Sequence, residues 1–250
     1  MKVGIIVPVY NEKKYVKEVL NEILELKIKN KKVVAVDDGS DEETKEIIRS
    51  VDGIEIITHK ENKGYGASII SGFKKLLKEK FDFIITIDAD RQHFPKRIPE
   101  FLKYVKYYDI VSGSRYMKDS KIITPPPPDR KYVNFLIQKV IFYLTGIKLT
   151  DAFCGFKAYK SEFIKDIKFK EKGYAFPLEV WYYAYKKKAK IKEIPCELFY
   201  PETRKFRGEI EDKEKRILSY KKVLEKLFKK NLDELFLKAK KEMENEYPCY

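Results

Sequence analysis

The sequence predicts an α/β protein built on a mostly parallel central β-sheet. Short and almost continuously apolar segments alternate with longer amphipathic segments through the first half of the chain. Apolar strands of this kind are typical of parallel sheets that helices cover on both faces. The chain has 250 residues, of which 44% are hydrophobic, so it can bury a substantial core. A charged fraction of 37% with 14% aromatic residues argues against wholesale disorder.

Strands and helices are predicted to follow one another from the N-terminus. The first strand is VGIIVPVY, and Asn11 is predicted to cap the helix that follows. The second strand is KKVVAVDDGS, and the second helix, DEETKEIIRSV, has Ser40 or Asp41 as its N-cap. The third strand is IEIITHKE, and the glycine-containing turn and helix after it are ENKGYGASIISGFKKLLKE. The fourth strand is FDFIITIDAD, and the fifth, after RIPEFLKYV, is DIVSGSRY.

The regular alternation stops at about Met117. A loop holding Pro125 to Pro128 leads into a long helix, YVNFLIQKVIFYLTGI, whose apolar stripe would face the core or a lipid chain. Another helix is predicted around Phe176 to Lys187, followed by a strand, KIKEIPCELFY. We expect a catalytic domain at residues 1–212 and a helical extension at 213–250. The extension would contact a membrane surface or a second subunit, or be a solvated surface.

The net charge of +14 indicates an anionic partner. A phosphorylated substrate or an anionic membrane surface would fit, whereas nucleic acid is not expected because no basic–aromatic module is present. Abundant Lys and Glu also fit adaptation to high temperature. The three cysteines form no CxxC pair, and the N-terminal apolar run is too short for a signal peptide. We therefore expect a reduced, cytoplasmic setting without a spanning helix.

Polar residues follow each predicted parallel strand, at the edge where such sheets bind ligands. In TIDADRQHF, Asp88, Asp90 and Gln92 are spaced two residues apart, so an extended chain would point them to one side. Taken alone, this triplet favours a solvated strand end over a metal site. Asp37 and Asp38 after the second strand add further carboxylates, and a bound nucleotide with Mg²⁺ or Mn²⁺ would account for the whole group. Asp37 or Asp38 could accept a hydrogen bond from the base or the ribose of that nucleotide.

Two common nucleotide motifs are missing from the sequence. The turn NKGYGAS lacks the GK[ST] ending of a Walker A loop, and GxGxxG is absent. Kinase, ATPase and dehydrogenase functions are therefore disfavoured.

A group of motifs resembles a known family. VPVYNE, VDDGS, NKGYGAS, TIDADRQHFP, DIVSGSRY and TDAFCGFKAY occur in the order seen in GT-A, family 2 inverting glycosyltransferases, most similar to dolichyl- or polyprenyl-phosphate mannose or glucose synthases. The resemblance covers roughly Lys2 to Glu209 and implies a nucleotide-diphospho-sugar donor, GDP-mannose or a UDP-hexose. It implies a metal held by Asp88, Asp90 and Gln92. It also implies a nucleotide-sugar pocket with these members: Pro8, Tyr10, Glu12, Asp37 or Asp38, Asp88, Ala89 and Asp90.

The acceptor decides which further groups the reaction needs. A phosphate monoester, with a second pKa of about 6, is already anionic and needs cations to position it. The resemblance implies that Arg115 and Arg130 contact a polyprenyl or dolichyl phosphate, with Asn134 as a further contact. The alternative is that both arginines lie on the surface and only form ion pairs. A hydroxyl acceptor on a soluble glycan would need a general base, and Asp151 is the candidate.

The segment that closes over the donor departs from the family pattern. The family often has an arginine followed by a GESK-like turn, whereas this chain has YPETRKFRGEIED. Arg204 or Arg207 is expected to contact the diphosphate. A protein that binds nucleotide-sugars without turnover is the remaining alternative, and the intact aspartates disfavour it. We expect an enzyme at the cytoplasmic face of a membrane.

Overall fold

The computed structural model describes residues 1–199 and 212–246, apart from the side chains of residues 245 and 246. Arg204 and Arg207, predicted to contact the diphosphate, lie outside the described residues.

One sheet of seven strands, ordered β3-β2-β1-β4-β6-β5-β7, forms the centre of the described structure. Its strands are β1 (Val3–Val9), β2 (Lys31–Asp37), β3 (Glu55–Thr58), β4 (Phe83–Thr86), β5 (Ile110–Ser114), β6 (Lys157–Lys160) and β7 (Ile191–Pro195). Every neighbouring pair is parallel except the two that involve β6, which runs antiparallel between β4 and β5. The predicted mostly parallel sheet is confirmed.

Helices cover both faces of the sheet. They are α1 (Val16–Glu25), α2 (Glu42–Arg49), α3 (Tyr65–Lys78), α4 (Ile98–Tyr104), α5 (Pro128–Thr145), α6 (Ser161–Ile164), α7 (Phe176–Lys186), α8 (Lys213–Phe228) and α9 (Asp233–Glu246). One core cluster contains residues of α1, α2 and α4, and the other contains residues of α3, α5, α7, α8 and α9.

The structure corrects two local predictions and confirms a third. Asn11 does not cap α1, which begins at Val16; instead its side-chain oxygen accepts from the backbone N–H of Asp41. Asp41 is the N-cap of α2, where its carboxylate accepts from Thr44 N at 3.0 Å. Strand β4 ends at Thr86, before the acidic triplet.

The C-terminal helical region consists of two helices that pack onto the rest of the fold. Lys229, with φ of 53°, ends α8, and α9 begins at Asp233. Leu224, Leu232 and Met243 are buried in the same core cluster as α5 and α7. Among residues 1–199 and 212–246, no helix is both long and apolar enough to cross a bilayer.

We expect Leu224→Ala to lower the free energy of unfolding by about 2–5 kcal/mol, because it removes a side chain that is 1% exposed and leaves a cavity. Leu218→Ala on the same helix is the matched control, since Leu218 is 49% exposed and should change stability little. Urea unfolding measures both. Equal losses of unfolding free energy in the two variants would show that α8 is not part of the core.

Candidate active site

The carboxyl ends of β1, β2 and β4 meet at the point where the strand order reverses. Strand β1 has β2 on one side and β4 on the other, and all three run parallel. The register places Val9 beside Asp37 and Ile6 beside Thr86, so the residues that follow β1, β2 and β4 share one edge. Open α/β sheets bind ligands at such a switch point.

Asp37 and Asp38, adjacent in sequence, have different environments. The carboxylate of Asp38 accepts from Lys63 N at 3.0 Å and Gly64 N at 2.8 Å, and lies 2.6 Å from His59 Nδ1. The Oδ1 of Asp37 accepts from Ser40 N at 2.9 Å, whereas its Oδ2 is buried without a partner among the described residues. Asp37 therefore has an acceptor atom to offer a ligand, and Asp38 holds the loop that begins α3.

This loop carries Tyr65 to the acidic triplet. The Tyr65 hydroxyl donates a hydrogen bond to Asp88, and both its desolvation and that carboxylate raise the pKa of Tyr65. The backbone passes so close to its neighbours that a Cβ at Gly66 would lie 2.4 Å from the carbonyl oxygen of Glu171. Tyr65 was not among the predicted site residues, although the NKGYGAS motif contains it.

Asp88 and Asp90 lie in the turn after β4. Asp88 packs directly on Gly155, where an added Cβ would come within 2.3 Å of its Oδ2. Asp90 Oδ1 accepts from the backbone N–H of Gln92 at 3.1 Å. The turn is closed by Arg91 at φ of 60°, whose side chain reaches away to Glu22 at 2.6 Å. A turn, and not the alternation of a strand, thus arranges these residues.

The donor set of this turn fits a hard divalent cation. Within the described parts of the chain, no three His, Cys, Asp or Glu side chains converge as a complete metal cage. Mg²⁺ and Mn²⁺ are typically bound through one or two carboxylates together with waters and substrate phosphates. Gln92 lies in the same turn and is 2% exposed, and the oxygen of its amide is the atom that could ligate such an ion. Asp88 and Asp90 therefore suit an ion that a diphosphate would help to bind.

A buried ion pair lies beyond the end of β5. Arg115 donates from Nε to Asp151 Oδ2 at 2.6 Å and from Nη2 to Oδ1 at 3.0 Å. Asn134 of α5 donates to the same Oδ1 at 3.1 Å and accepts from Ala152 N at 2.9 Å. Burial alone would raise the pKa of Asp151, but the charge and hydrogen bonds of Arg115 lower this pKa below its usual value.

This geometry changes two of the predicted roles. Asp151 is 0% exposed and its carboxylate is held by Arg115 and Asn134, which does not suit a general base for a hydroxyl acceptor. Asn134 is 2% exposed with both ends of its amide engaged, which does not suit direct contact with a phosphate. Both residues instead position Arg115 and the loop beside it.

The residues around Asp151 form what we call the 150–155 loop, and each is held from outside. Glu193 accepts from the backbone N–H groups of Thr150 and Asp151 at 2.7 and 3.1 Å. The next four residues are held by further contacts. Three backbone carbonyls accept hydrogen bonds: Ala152 O from Trp181 Nε1 at 2.9 Å, Cys154 O from Lys157 Nζ, and Gly155 O from Thr86 Oγ1 at 2.7 Å. The ring of Phe153 stacks on that of Tyr220, with ring centroids 4.7 Å apart. No local motif in the sequence predicts these supports, because they come from elements that are distant along the chain.

The remaining predicted residues lie on β1, on the turns after β1 and β4, and on α5. Pro8 is the penultimate residue of β1, and Tyr10, 43% exposed, directly follows the strand. Glu12 Oε1 accepts from Tyr15 N at 3.2 Å at the start of α1. Ala89 is buried within the acidic turn, and Arg130 is in the first turn of α5.

An acidic turn at the switch point of a mostly parallel sheet lies where α/β enzymes bind their ligands, and comparison with known proteins specifies the family. Residues 4–168 match the family model described as Glycosyl transferase family 2. The chain belongs to this family and is a glycosyltransferase.

Named relatives and a solved structure agree with this assignment. A UDP-N-acetylglucosamine–dolichyl-phosphate N-acetylglucosaminyltransferase of Methanococcus voltae is 30% identical over 82% of this chain and 88% of its own. A dolichol-phosphate mannosyltransferase of Pyrococcus furiosus is 29% identical over 92% of this chain and 64% of its own. A glucosyl-3-phosphoglycerate synthase from Mycobacterium tuberculosis has the same fold with a TM-score of 0.71 at 14% identity, over 91% of this chain and 79% of its own. The GT-A fold expected from the motifs is confirmed.

We expect Asp151→Asn to destabilise the fold by about 3 kcal/mol or more, because it leaves the Arg115 guanidinium buried opposite a neutral amide. Urea unfolding measures the loss. At temperatures where the variant stays folded, the KM for a phosphate acceptor should rise, because Arg115 loses the partner that orients it, while kcat should be largely retained. Full stability combined with a lost kcat would instead identify Asp151 as the general base.

Proposed function

We propose that this glycosyltransferase transfers a hexose, with mannose favoured, from a nucleotide-diphospho-sugar to a dolichyl or polyprenyl phosphate, with inversion and with a divalent metal. The observation that carries the proposal is the bidentate Arg115–Asp151 pair. It engages the one carboxylate predicted as a general base, and an acceptor phosphate that is already ionised needs no such base. The relatives named for dolichyl-phosphate acceptors support this choice.

The donor would lie across the switch point. Asp37 Oδ2 is suited to accept a hydrogen bond from the base, with Pro8, Tyr10 and Glu12 nearby along β1 and the turn after it. Asp88 and Asp90, with Gln92, would hold the metal. When bound, Mg²⁺ or Mn²⁺ supplies positive charge that stabilises the departing diphosphate. The fold neighbour was crystallised with Mn²⁺ and UDP-glucose, which supports a metal-bound donor.

The acceptor would enter from the side of β5 and α5. Arg115 and Arg130 would orient its phosphate, so that one anionic oxygen faces the anomeric carbon opposite the leaving diphosphate. The new bond joins that oxygen to the sugar while the bond from the sugar to the diphosphate breaks. No proton has to be removed, because the phosphate is ionised near neutral pH. The acceptor lipid and the net charge of +14 support peripheral attachment to the cytoplasmic face of a membrane.

The direct test is incubation of the full chain and Mn²⁺ or Mg²⁺ with labelled GDP-mannose or UDP-hexoses, supplying dolichyl phosphate in one arm and soluble glycans in the other. We expect the label to move into the organic-extractable lipid. Label recovered only in a soluble glycan would support the second candidate, a hydroxyl acceptor, and overturn the first.

Asp90→Asn should reduce transfer by at least about a hundredfold, because it removes a negative charge that would hold Mg²⁺ or Mn²⁺. Steady-state assays over a range of Mn²⁺ concentrations would measure this loss, with circular dichroism confirming that the fold is retained. Asp82→Asn is a control at an exposed aspartate on the amino side of β4. Wild-type activity in the Asp90 variant would refute the metal assignment.

Arg130→Ala should raise the KM for polyprenyl phosphate by about tenfold or more, since it removes a charge-assisted hydrogen bond to the phosphate. The KM for the nucleotide-sugar should stay unchanged. Equal changes in both constants would place Arg130 outside the acceptor site.

A further inference from the structure

Arg216 of α8 is a buried cation whose hydrogen bonds are incomplete. Its side chain is 2% exposed, and its Nη2 donates to Asp129 Oδ2 at 2.7 Å. Its Nε and Nη1 are buried and have no partner among residues 1–199 and 212–246. The carboxylate of Asp129, in contrast, is 36% exposed.

This arrangement is costly for a residue whose role is only structural. A guanidinium has five N–H donors, and buried donors without acceptors lose the hydrogen bonds that water would supply. A single half-exposed carboxylate compensates only part of the desolvation of a buried charge. An anion beside Nε and Nη1 would satisfy the remaining donors.

The position of Arg216 indicates which anion this is. Asp129, its partner, directly precedes Arg130 in the first turn of α5. One turn further along α8, Tyr220 stacks on Phe153 of the 150–155 loop, whose Asp151 holds Arg115. The face of α8 that carries Arg216 and Tyr220 therefore covers the two elements that place Arg115 and Arg130.

We propose that Arg216 is a third cation of the acceptor-phosphate site. Held at Nη2 by Asp129, its guanidinium turns Nε and Nη1 to a phosphate oxygen when the acceptor binds. The inference rests on the proposed function and extends it, because it gives the C-terminal helix α8 a direct part in acceptor recognition. The donor diphosphate has the same chemistry, but the acidic turn that suits it follows β4, whereas Arg216 contacts the start of α5.

The test compares Arg216→Gln, Arg216→Lys, Asp129→Asn and Lys215→Gln in the full chain, by measuring KM for a polyprenyl phosphate and for the nucleotide-sugar. We expect Arg216→Gln to raise the acceptor KM by about tenfold or more while the donor KM stays unchanged. Arg216→Lys should fall between it and the wild type, because lysine keeps the charge and loses the planar fork. Lys215→Gln, which removes one charge from an exposed position of the same helix, should match the wild type.

Asp129→Asn separates a phosphate contact from a structural pair. If Arg216 serves only to pair with Asp129, both partners' variants should alter stability and KM alike. If Arg216 binds phosphate, Asp129→Asn keeps the cation and an oxygen that can accept from Nη2, so it should raise the acceptor KM much less than Arg216→Gln does.

The remaining outcomes separate failure of the proposed function from failure of the role proposed for Arg216. A wild-type chain that transfers no sugar to polyprenyl phosphate overturns the proposed function and this inference with it. A wild-type chain that does transfer, with an unchanged acceptor KM in Arg216→Gln, overturns the inference alone, as does a change confined to the donor KM. Failure of both Arg216 variants to fold in circular dichroism assigns the residue a structural role and also overturns it.

Discussion

The buried ion pair between Arg115 and Asp151 is the interaction on which the site depends. Its two hydrogen bonds, at 2.6 and 3.0 Å, join the end of β5 to the 150–155 loop. The same loop ends at Gly155, whose lack of a side chain leaves room for the carboxylate of Asp88. The proposed donor and acceptor sides of the site thus share one support, so the two substrates would meet at a position that a single loop determines.

The antiparallel strand β6 explains how one loop reaches both sides. It inserts between β4 and β5, so the loop that precedes it crosses the carboxyl ends of both neighbours. The Thr86 hydroxyl of β4 donates to the carbonyl oxygen of Gly155. The hydroxyl oxygens of Ser114, in β5, and Thr150 are 2.7 Å apart. Glu193 of β7 and Trp181 of α7 hold the loop from the remaining directions.

Local patterns in the sequence predicted the alternating elements, the parallel sheet and the edge at which polar residues gather. They did so because burial on both faces makes strands almost purely apolar and because the carboxyl ends of parallel strands coincide. The acidic triplet was placed at the correct edge for an incorrect local reason, since β4 ends at Thr86 and a turn arranges Asp88 and Asp90. The roles of Asp38, Asn134 and Asp151 depend on partners 17 to 36 residues away, which no local spacing reveals.

The central claim is that the carboxyl edge of β1, β2 and β4 binds a nucleoside diphosphate together with a divalent cation. Calorimetric titration of UDP and of GDP into the full chain, with and without Mn²⁺, tests it most directly. One of the two nucleotides should bind at least about tenfold more tightly with Mn²⁺ present, because Asp88 and Asp90 would hold the ion and its charge would stabilise the bound diphosphate. Binding of equal strength without the metal, or no binding of either nucleotide, would contradict it.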